Sequence, residues 1–280
     1  MYNAAMLNPD LAIGFIGAGN MATAMIEGLL RTGVAPARLH ASAPHPDPLE
    51  ALAAKGVCTT TDNAALVTAC DIVVLAVKPQ VLGEVLRALQ PILQDKPVLL
   101  ISVAAGIRCA SLESWTHPAQ AIVRCMPNTP ALVQAGASGL FANARVNAAQ
   151  RQQAEAIMAA VGLCCWLDDE AQLDAVTALS GSGPAYFFLM MEAMEAAGVA
   201  LGLSPEVARR LCLQTAYGAA RLALEGSVEP GELRRRVTSP GGTTEAALRR
   251  FEQEDYRGLV ARALQAAATR AAELATATGK

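Results

Sequence analysis

Charged and aromatic side chains are scarce in this sequence: of its 280 residues only 17% are Asp, Glu, Lys or Arg and 4% are Phe, Trp or Tyr. The charged residues are also balanced, 22 Lys and Arg against 25 Asp and Glu, so the basic excess of a nucleic-acid binder is missing and a small-molecule partner is expected. Cysteine occurs as Cys58, Cys70, Cys109, Cys125, Cys164, Cys165 and Cys212, an odd number without a C-x-x-C pair. That argues against a disulfide framework and against a zinc site, and the thiols are read as reduced. Residues 1–10 lack the basic start and long apolar run of a secretory signal. No membrane-spanning run of about 18 apolar residues occurs; even the rich stretch 185–202 carries Glu192 and Glu195. A cytoplasmic address is the expectation.

The absence with most consequence lies in the second half. Beyond Asp168 there is no histidine, and the only lysine is the terminal Lys280. A dehydrogenase that reduces a ketone needs a proton donor at the substrate end, commonly His, Lys or Tyr. Tyr186 and Tyr217 are present, but neither sits in a recognisable acid–base arrangement.

Apolar residues make up 53% of the chain, ample for a large core, and they follow two rhythms. In the first half, short apolar runs at 11–17, 39–43, 72–77, 97–103 and 121–126 read as buried strands of a parallel sheet. They alternate with helical patterns at 21–32, 48–55, 80–93 and 111–115, as in a doubly wound fold. Runs at 139–142 and 164–167 flank a helix at 148–160 and extend the sheet. After Asp168 strand signals stop, and helices are expected at 185–201, 205–225, 244–251 and 255–276, with Ser204 capping the second. The expected fold class is therefore α/β: an N-terminal Rossmann-type doubly wound sheet, residues 1–168, followed by an all-α domain, residues 169–280. So many apolar positions on so few helices point to burial against a second copy.

The first strand runs into Gly17-Ala18-Gly19-Asn20-Met21-Ala22, a G-x-G-x-x-A turn in the strand-to-helix context that dinucleotide binding requires. Gly17 permits the tight turn, Gly19 lets amides approach a pyrophosphate, and Ala22 lets helix and strand pack closely. The second strand ends in Ala41-Ser42-Ala43-Pro44-His45, with no carboxylate for the ribose hydroxyls, which favours NADPH over NADH. His45 is read as a loop residue without a task. Three further strand ends converge on the same edge: Ala76-Val77-Lys78-Pro79-Gln80, Ser102-Val103-Ala104-Ala105-Gly106, and Met126-Pro127-Asn128-Thr129-Pro130, whose prolines stiffen a turn suited to holding polar groups.

Two clusters precede helices in the second half, 180–186 (SGSGPAY) and 237–244 (VTSPGGTT). Both read as anion cradles, in which exposed amides and hydroxyls at a helix N-terminus hold a carboxylate without a basic side chain. A protonated C=N bond already carries the charge that attracts hydride, so an imine substrate needs orientation more than a strong acid, and the missing bases then make sense.

The motifs GAGNMA, AVKPQ, VRCMPNTP, ALSGSGPAY and VTSPGGTT, in that order, resemble pyrroline-5-carboxylate reductases over nearly the whole chain. The resemblance implies a Rossmann domain, a helical domain for substrate binding and homodimerisation, dimers that can assemble into a decamer of five, and NAD(P)H-dependent reduction of 1-pyrroline-5-carboxylate to L-proline. It places the cofactor at Ile16, Gly17, Ala18, Gly19, Asn20, Met21, Ser42, Asn63, Ala76, Val77, Lys78, Pro79, Ala104, Ala105 and Gly106. It places the substrate at Ser239, Gly241, Gly242, Thr243 and Thr244, with amides and the Ser239 hydroxyl on the carboxylate. Thr244, hydrogen-bonded to the ring nitrogen, is the catalytic candidate. Two departures stand out: the run Arg234-Arg235-Arg236, and Glu245 where an apolar residue is common. Competing readings are a β-hydroxyacid dehydrogenase, which would want a lysine in the helical half, and a nucleotide-sensing protein that retains only the fold, against which the intact SPGGTT loop speaks.

Overall fold

In the computed structural model, which describes residues 7–278, eight strands form one sheet in the order β3-β2-β1-β4-β5-β6-β7-β8. They are β1 (Ile13–Ile16), β2 (Leu39–Ser42), β3 (Cys58–Thr60), β4 (Ile72–Leu75), β5 (Leu99–Ser102), β6 (Ile122–Met126), β7 (Gly136–Ala142) and β8 (Gly162–Trp166). Helices α1 (Asn20–Arg31), α2 (Asp47–Ala53), α3 (Asn63–Ala69), α4 (Pro79–Asp95), α5 (Cys109–Trp115) and α6 (Ala148–Ala159) connect them.

The strands read as near-continuous apolar runs because both sheet faces are covered. Ile13, Phe15, Ile72, Val74, Leu99, Ile101 and Val123 point to one core, with Met25 and Ile26 of α1, Leu49 of α2 and Ile157 of α6. The alternate residues Ile16, Val73, Leu75, Leu100 and Ile122 point to the other, with Leu66 of α3, Leu82 and Leu86 of α4 and Trp115 of α5. Period-2 alternation between two helix layers defines the doubly wound form.

The five strands expected to be parallel, β2, β1, β4, β5 and β6, are so, and the two later strands extend the sheet as expected. Of these two, β7 runs antiparallel to β6, with Val123 opposite Ala142 and Met126 opposite Gly139. Only the nine residues 127–135, among them a 3-10 turn Thr129–Val133, join the two strands, too few for a helical crossover. The strand β3 and helix α3 were not anticipated. β3 has three residues and is largely exposed, so it offers no apolar run, and α3 is set by a local cap in which Asp62 accepts from the amides of Ala64 and Ala65.

Helices α7 (Gln172–Val176), α8 (Gly183–Ala200), α9 (Pro205–Glu225), α10 (Pro230–Arg236), α11 (Thr243–Gln253) and α12 (Tyr256–Thr278) complete the chain. Ser204 caps α9 as expected, accepting from the Val207 amide. The chain divides into two compact units, one running to Ser182 and including the stretch from Ala267 onward, the other being Gly183–Ala266. Lys280 and residues 1–6 lie outside the described residues.

The second unit has little core of its own. Helices α8 and α9 bury only Gly183, Ala208 and Cys212, while Phe187, Phe188, Leu189, Leu211 and Leu222 each remain more than half exposed. An apolar surface of this extent on a small helical unit marks an interaction face.

The pairing of β7 with β8 depends on a close backbone approach. Gly162 has φ +150°, and a Cβ there would lie 2.0 Å from the Gly136 carbonyl oxygen. Gly162→Ala is expected to lower the stability of the first unit by about 3 kcal/mol, read as a reduced denaturant midpoint; an unchanged midpoint would contradict this account of the sheet edge.

Candidate active site: two helix N-termini

At the carboxyl edge of the sheet the tips of neighbouring strands are stitched together. The Gly17 amide donates to the Ser42 carbonyl at 2.9 Å, Ala76 to Ile16 at 2.9 Å and Val103 to Leu75 at 3.2 Å. β1 is flanked by β2 and β4, so the chain reverses its winding direction here, and a crevice at this edge is where ligands bind in open α/β sheets. Of the expected cofactor residues, Ile16 to Met21, Ser42, Asn63, Ala76 to Pro79 and Ala104 to Gly106 all come from elements that end or begin on this edge.

The turn between β1 and α1 has the geometry of an anion cradle. Gly17 has φ +100°, and a Cβ there would meet the Ala76 carbonyl oxygen at 2.7 Å, so this position needs glycine for the fold itself. Gly19 is different: a Cβ there would find nothing within 4 Å, so the fold itself leaves that side open. Gly19 is the N-cap of α1, no side chain caps the helix, and the first turn carries no acidic residue. The amides of Asn20, Met21 and Ala22 therefore lack intrahelical acceptors and form the positive dipole end of the helix, which suits an anion such as a pyrophosphate.

Beside this turn, Ser42 is fully buried and its hydroxyl donates to Asn63 Oδ1 at 2.7 Å, joining the tip of β2 to the start of α3. Lys78 is the exposed N-cap of α4, and Pro79 follows as the first helical residue. The segment after β5 turns at Gly106, with φ +75°, and Ala105 is exposed at its tip.

The residues read as a polar turn around Asn128 have a different role. Asn128 Nδ2 donates to the Ser180 carbonyl at 3.0 Å and its Oδ1 accepts from the Ala137 amide at 2.9 Å, so the side chain braces the fold and both its polar ends are engaged. The 180–186 cluster is likewise not an open cradle. Residues Thr177–Gly181 form a π-helical turn that follows α7 directly, Ser182 N donates to the Thr177 carbonyl, and Ser180 Oγ donates to the Val176 carbonyl. The Ser182 amide is thus used within the turn, because Gly181 and Ser182 continue it where the glycines suggest a break.

The second cluster, before α11, does present a helix N-terminus. Gly241 turns with φ +72°, Gly242 is the N-cap, and no side chain caps α11. Gly242 N closes the turn on the Ser239 carbonyl at 3.0 Å, leaving the first amides of the helix, from Thr243 and Thr244, without intrahelical acceptors. Ser239 and Thr243 are exposed and Thr244 is half-buried. Glu245, the unexplained departure, has a place: its Oε2 accepts from the Gly241 amide at 2.7 Å and holds the turn from the helix side. The arginine run is engaged with acids, Arg235 and Arg236 with Glu232 of the same helix and Arg234 with Glu252 at 3.7 Å.

Sequence reasoning missed the pair of buried Arg124 and half-buried Glu170, in contact at 2.7 Å. An arginine inside an apolar strand, VRCM, was the available signal. Thiol reactivity is not part of either cradle: burial holds the Cys109 and Cys125 thiols well above the ordinary range and pushes Cys70 and Cys164 up to about 12.

A doubly wound sheet with an uncapped G-x-G turn at its switch point defines a dinucleotide-binding oxidoreductase of Rossmann type. Residues 12–106 match the family model described as NADP oxidoreductase, coenzyme F420-dependent, and residues 170–274 match that for pyrroline-5-carboxylate reductase dimerisation. The chain is 55% identical over 269 residues to the pyrroline-5-carboxylate reductase of Pseudomonas aeruginosa, covering 96% of this chain and 98% of that one. Among solved structures it is similar to a pyrroline-5-carboxylate reductase from Coxiella burnetii, with TM-score 0.92, 47% identity, and 94% and 98% of the two chains covered. It is also similar to the Plasmodium falciparum pyrroline carboxylate reductase with NADP bound, with TM-score 0.84, 31% identity, and 95% and 99% covered. The chain belongs to the pyrroline-5-carboxylate reductase family.

The two glycines of the first turn are expected to separate fold from binding. Gly17→Ala lowers stability by about 2 kcal/mol, whereas Gly19→Val costs only the N-cap preference, about 0.5 to 1 kcal/mol, and weakens NADPH binding about tenfold or more, about 1.4 kcal/mol. Fluorescence titration of NADPH beside thermal melts reads both; normal binding by Gly19→Val would remove the cradle assignment.

Proposed function

We propose that the protein catalyses NAD(P)H-dependent reduction of 1-pyrroline-5-carboxylate to L-proline, the final step of proline synthesis, with NADPH preferred. The observation that carries this reading is that two helices, α1 and α11, begin at a glycine N-cap, Gly19 and Gly242, with no side chain capping either. One suits a pyrophosphate and the other a carboxylate, and neither needs a basic side chain.

The roles follow from the groups present. Asn20, Met21 and Ala22 amides hold the pyrophosphate; Ser42 and Asn63, beside a strand tip without a carboxylate, accommodate the 2′-phosphate; Ala76 to Pro79 and Ala104 to Gly106 line the rest of the cofactor. NADPH, when bound, supplies the hydride. The Thr243 and Thr244 amides, with the Ser239 hydroxyl and the Gly241-Gly242 turn, hold the substrate carboxylate. The Thr244 hydroxyl oxygen accepts a hydrogen bond from the protonated ring nitrogen, fixing the C=N bond for attack at carbon. The nitrogen keeps its proton as the carbon receives hydride, so the chain supplies orientation and no general acid.

The helical unit matches a dimerisation domain, and its exposed apolar residues on α8 and α9 support association of copies of this chain. We place the working form as a homodimer able to assemble into a decamer of five dimers, in the cytoplasm. Among the described residues no helix is long and apolar enough to cross a membrane.

The reading is tested by following NADPH oxidation at about 340 nm with 1-pyrroline-5-carboxylate and assaying proline, beside NADH and a 2-keto acid; proline should form one for one with NADPH oxidised and the keto acid should give none. Thr244→Ala should lower turnover about tenfold or more with NADPH affinity unchanged; unaltered turnover would sink its assignment. Light scattering should find at least two chains per particle, and a monomer at micromolar concentration would contradict the interaction face.

A further inference from the structure

The segment that follows β5 is held at its far end by two carboxylates that come from much later in the chain. Glu170 Oε1 accepts from the Cys109 amide at 2.6 Å and from Arg124 Nη1 at 2.7 Å, and Asp174 Oδ2 accepts from Arg108 Nη2 at 2.9 Å. Arg124 stands on β6 with its side chain 7% exposed, and its Nε has no hydrogen-bond partner. A cavity of about 60 Å³ lies between these groups, lined by Ala104, Ala105, Gly106, Arg124, Asp174 and Leu274 among others. A buried guanidinium is costly unless paired, so this arrangement fixes Glu170 in place through Arg124 and uses its remaining lone pair on a backbone amide.

We propose that Glu170 is a positioning residue for the cofactor: shared between Arg124 and the Cys109 amide, it fixes the end of the 104–108 segment and so sets how Ala104 to Gly106 meet the dinucleotide. This rests on the reading that Ala104 to Gly106 line the cofactor. The physical reason is geometric. β5 anchors the segment on one side through Val103 N and the Leu75 carbonyl. On the other side Ile107 is fully buried in the core, which fixes the segment's place, while the bond from Cys109 N to Glu170 and the part-buried ion pair of Arg108 with Asp174 fix the orientation of its backbone. Loss of the Glu170 bond leaves the segment packed and free to shift by a fraction of an ångström, which is enough to misplace a ligand for hydride transfer.

The experiment compares steady-state kinetics of Glu170→Ala, Glu170→Gln and the double variant Arg124→Met with Glu170→Met, each checked by circular dichroism and melting. Glu170→Ala should raise the KM for NADPH and lower kcat, each about tenfold or more, with the KM for the imine within about twofold. Glu170→Gln keeps an acceptor oxygen for Cys109 N and should recover most of the loss. The double variant removes both charges and the anchor together, so it should keep the fold and still show the raised KM for NADPH. Wild-type kinetics in the double variant, equal rises in both KM values, or a Gln variant as impaired as Ala would each overturn the proposal. Ala105→Trp, at the exposed tip of the segment, tests the underlying reading separately: it should block NADPH binding, and normal binding would show that the segment does not touch the cofactor.

Discussion

The proposed function depends on one interaction, the recognition of anions by unpaired backbone amides at helix N-termini. A helix leaves its first amides without acceptors, and the dipole adds about half a positive charge at that end. Proteins ordinarily satisfy such an end with Ser, Thr or Asp, as Asp62 does for α3 and Ser204 for α9. At Gly19 and Gly242 the capping side chain is absent, and the two helix ends stay available to ligands. The scarcity of charge in the sequence agrees with the proposal, in which the backbone holds phosphate and carboxylate.

Each cradle imposes its own demand on the fold behind it. The first needs β1 to stop where the sheet changes winding direction, and Gly17 to pass within contact distance of the Ala76 carbonyl. The second needs the Ser239–Gly242 turn, closed by one backbone bond and held by Glu245. In the proposed reading neither cradle holds its anion with a titrating side chain, Glu245 bracing only the turn, and this agrees with a reaction whose substrate brings its own charge and proton.

Much of this architecture was legible in the sequence where the signal is local and repetitive. Strand cores such as 72–75 and 99–102 announce themselves as apolar runs, and α9 was bounded correctly because Ser204-Pro205 begins it and Gly226 follows it. The GAGNMA turn was legible because glycine spacing before a helix has one common physical meaning. What was not legible depended on partners distant in sequence. The antiparallel turn of β7 follows from a short connection and from pairing that no residue pattern declares. Asn128 read as a free polar group because its acceptor at Ser180 and donor at Ala137 lie 52 and 9 residues away. Glu170 carries no signal in the sequence, because what defines its role is Arg124, 46 residues earlier.

The most direct test of carboxylate recognition by amides is equilibrium binding of L-proline to the NADP+-loaded protein, compared with pyrrolidine, which has the ring and nitrogen but no carboxylate. Proline should bind at least about tenfold more tightly, a difference of about 1.4 kcal/mol or more. Equal affinity for the two would contradict the account, because the helix N-terminus at Gly242 would then contribute nothing to holding the substrate.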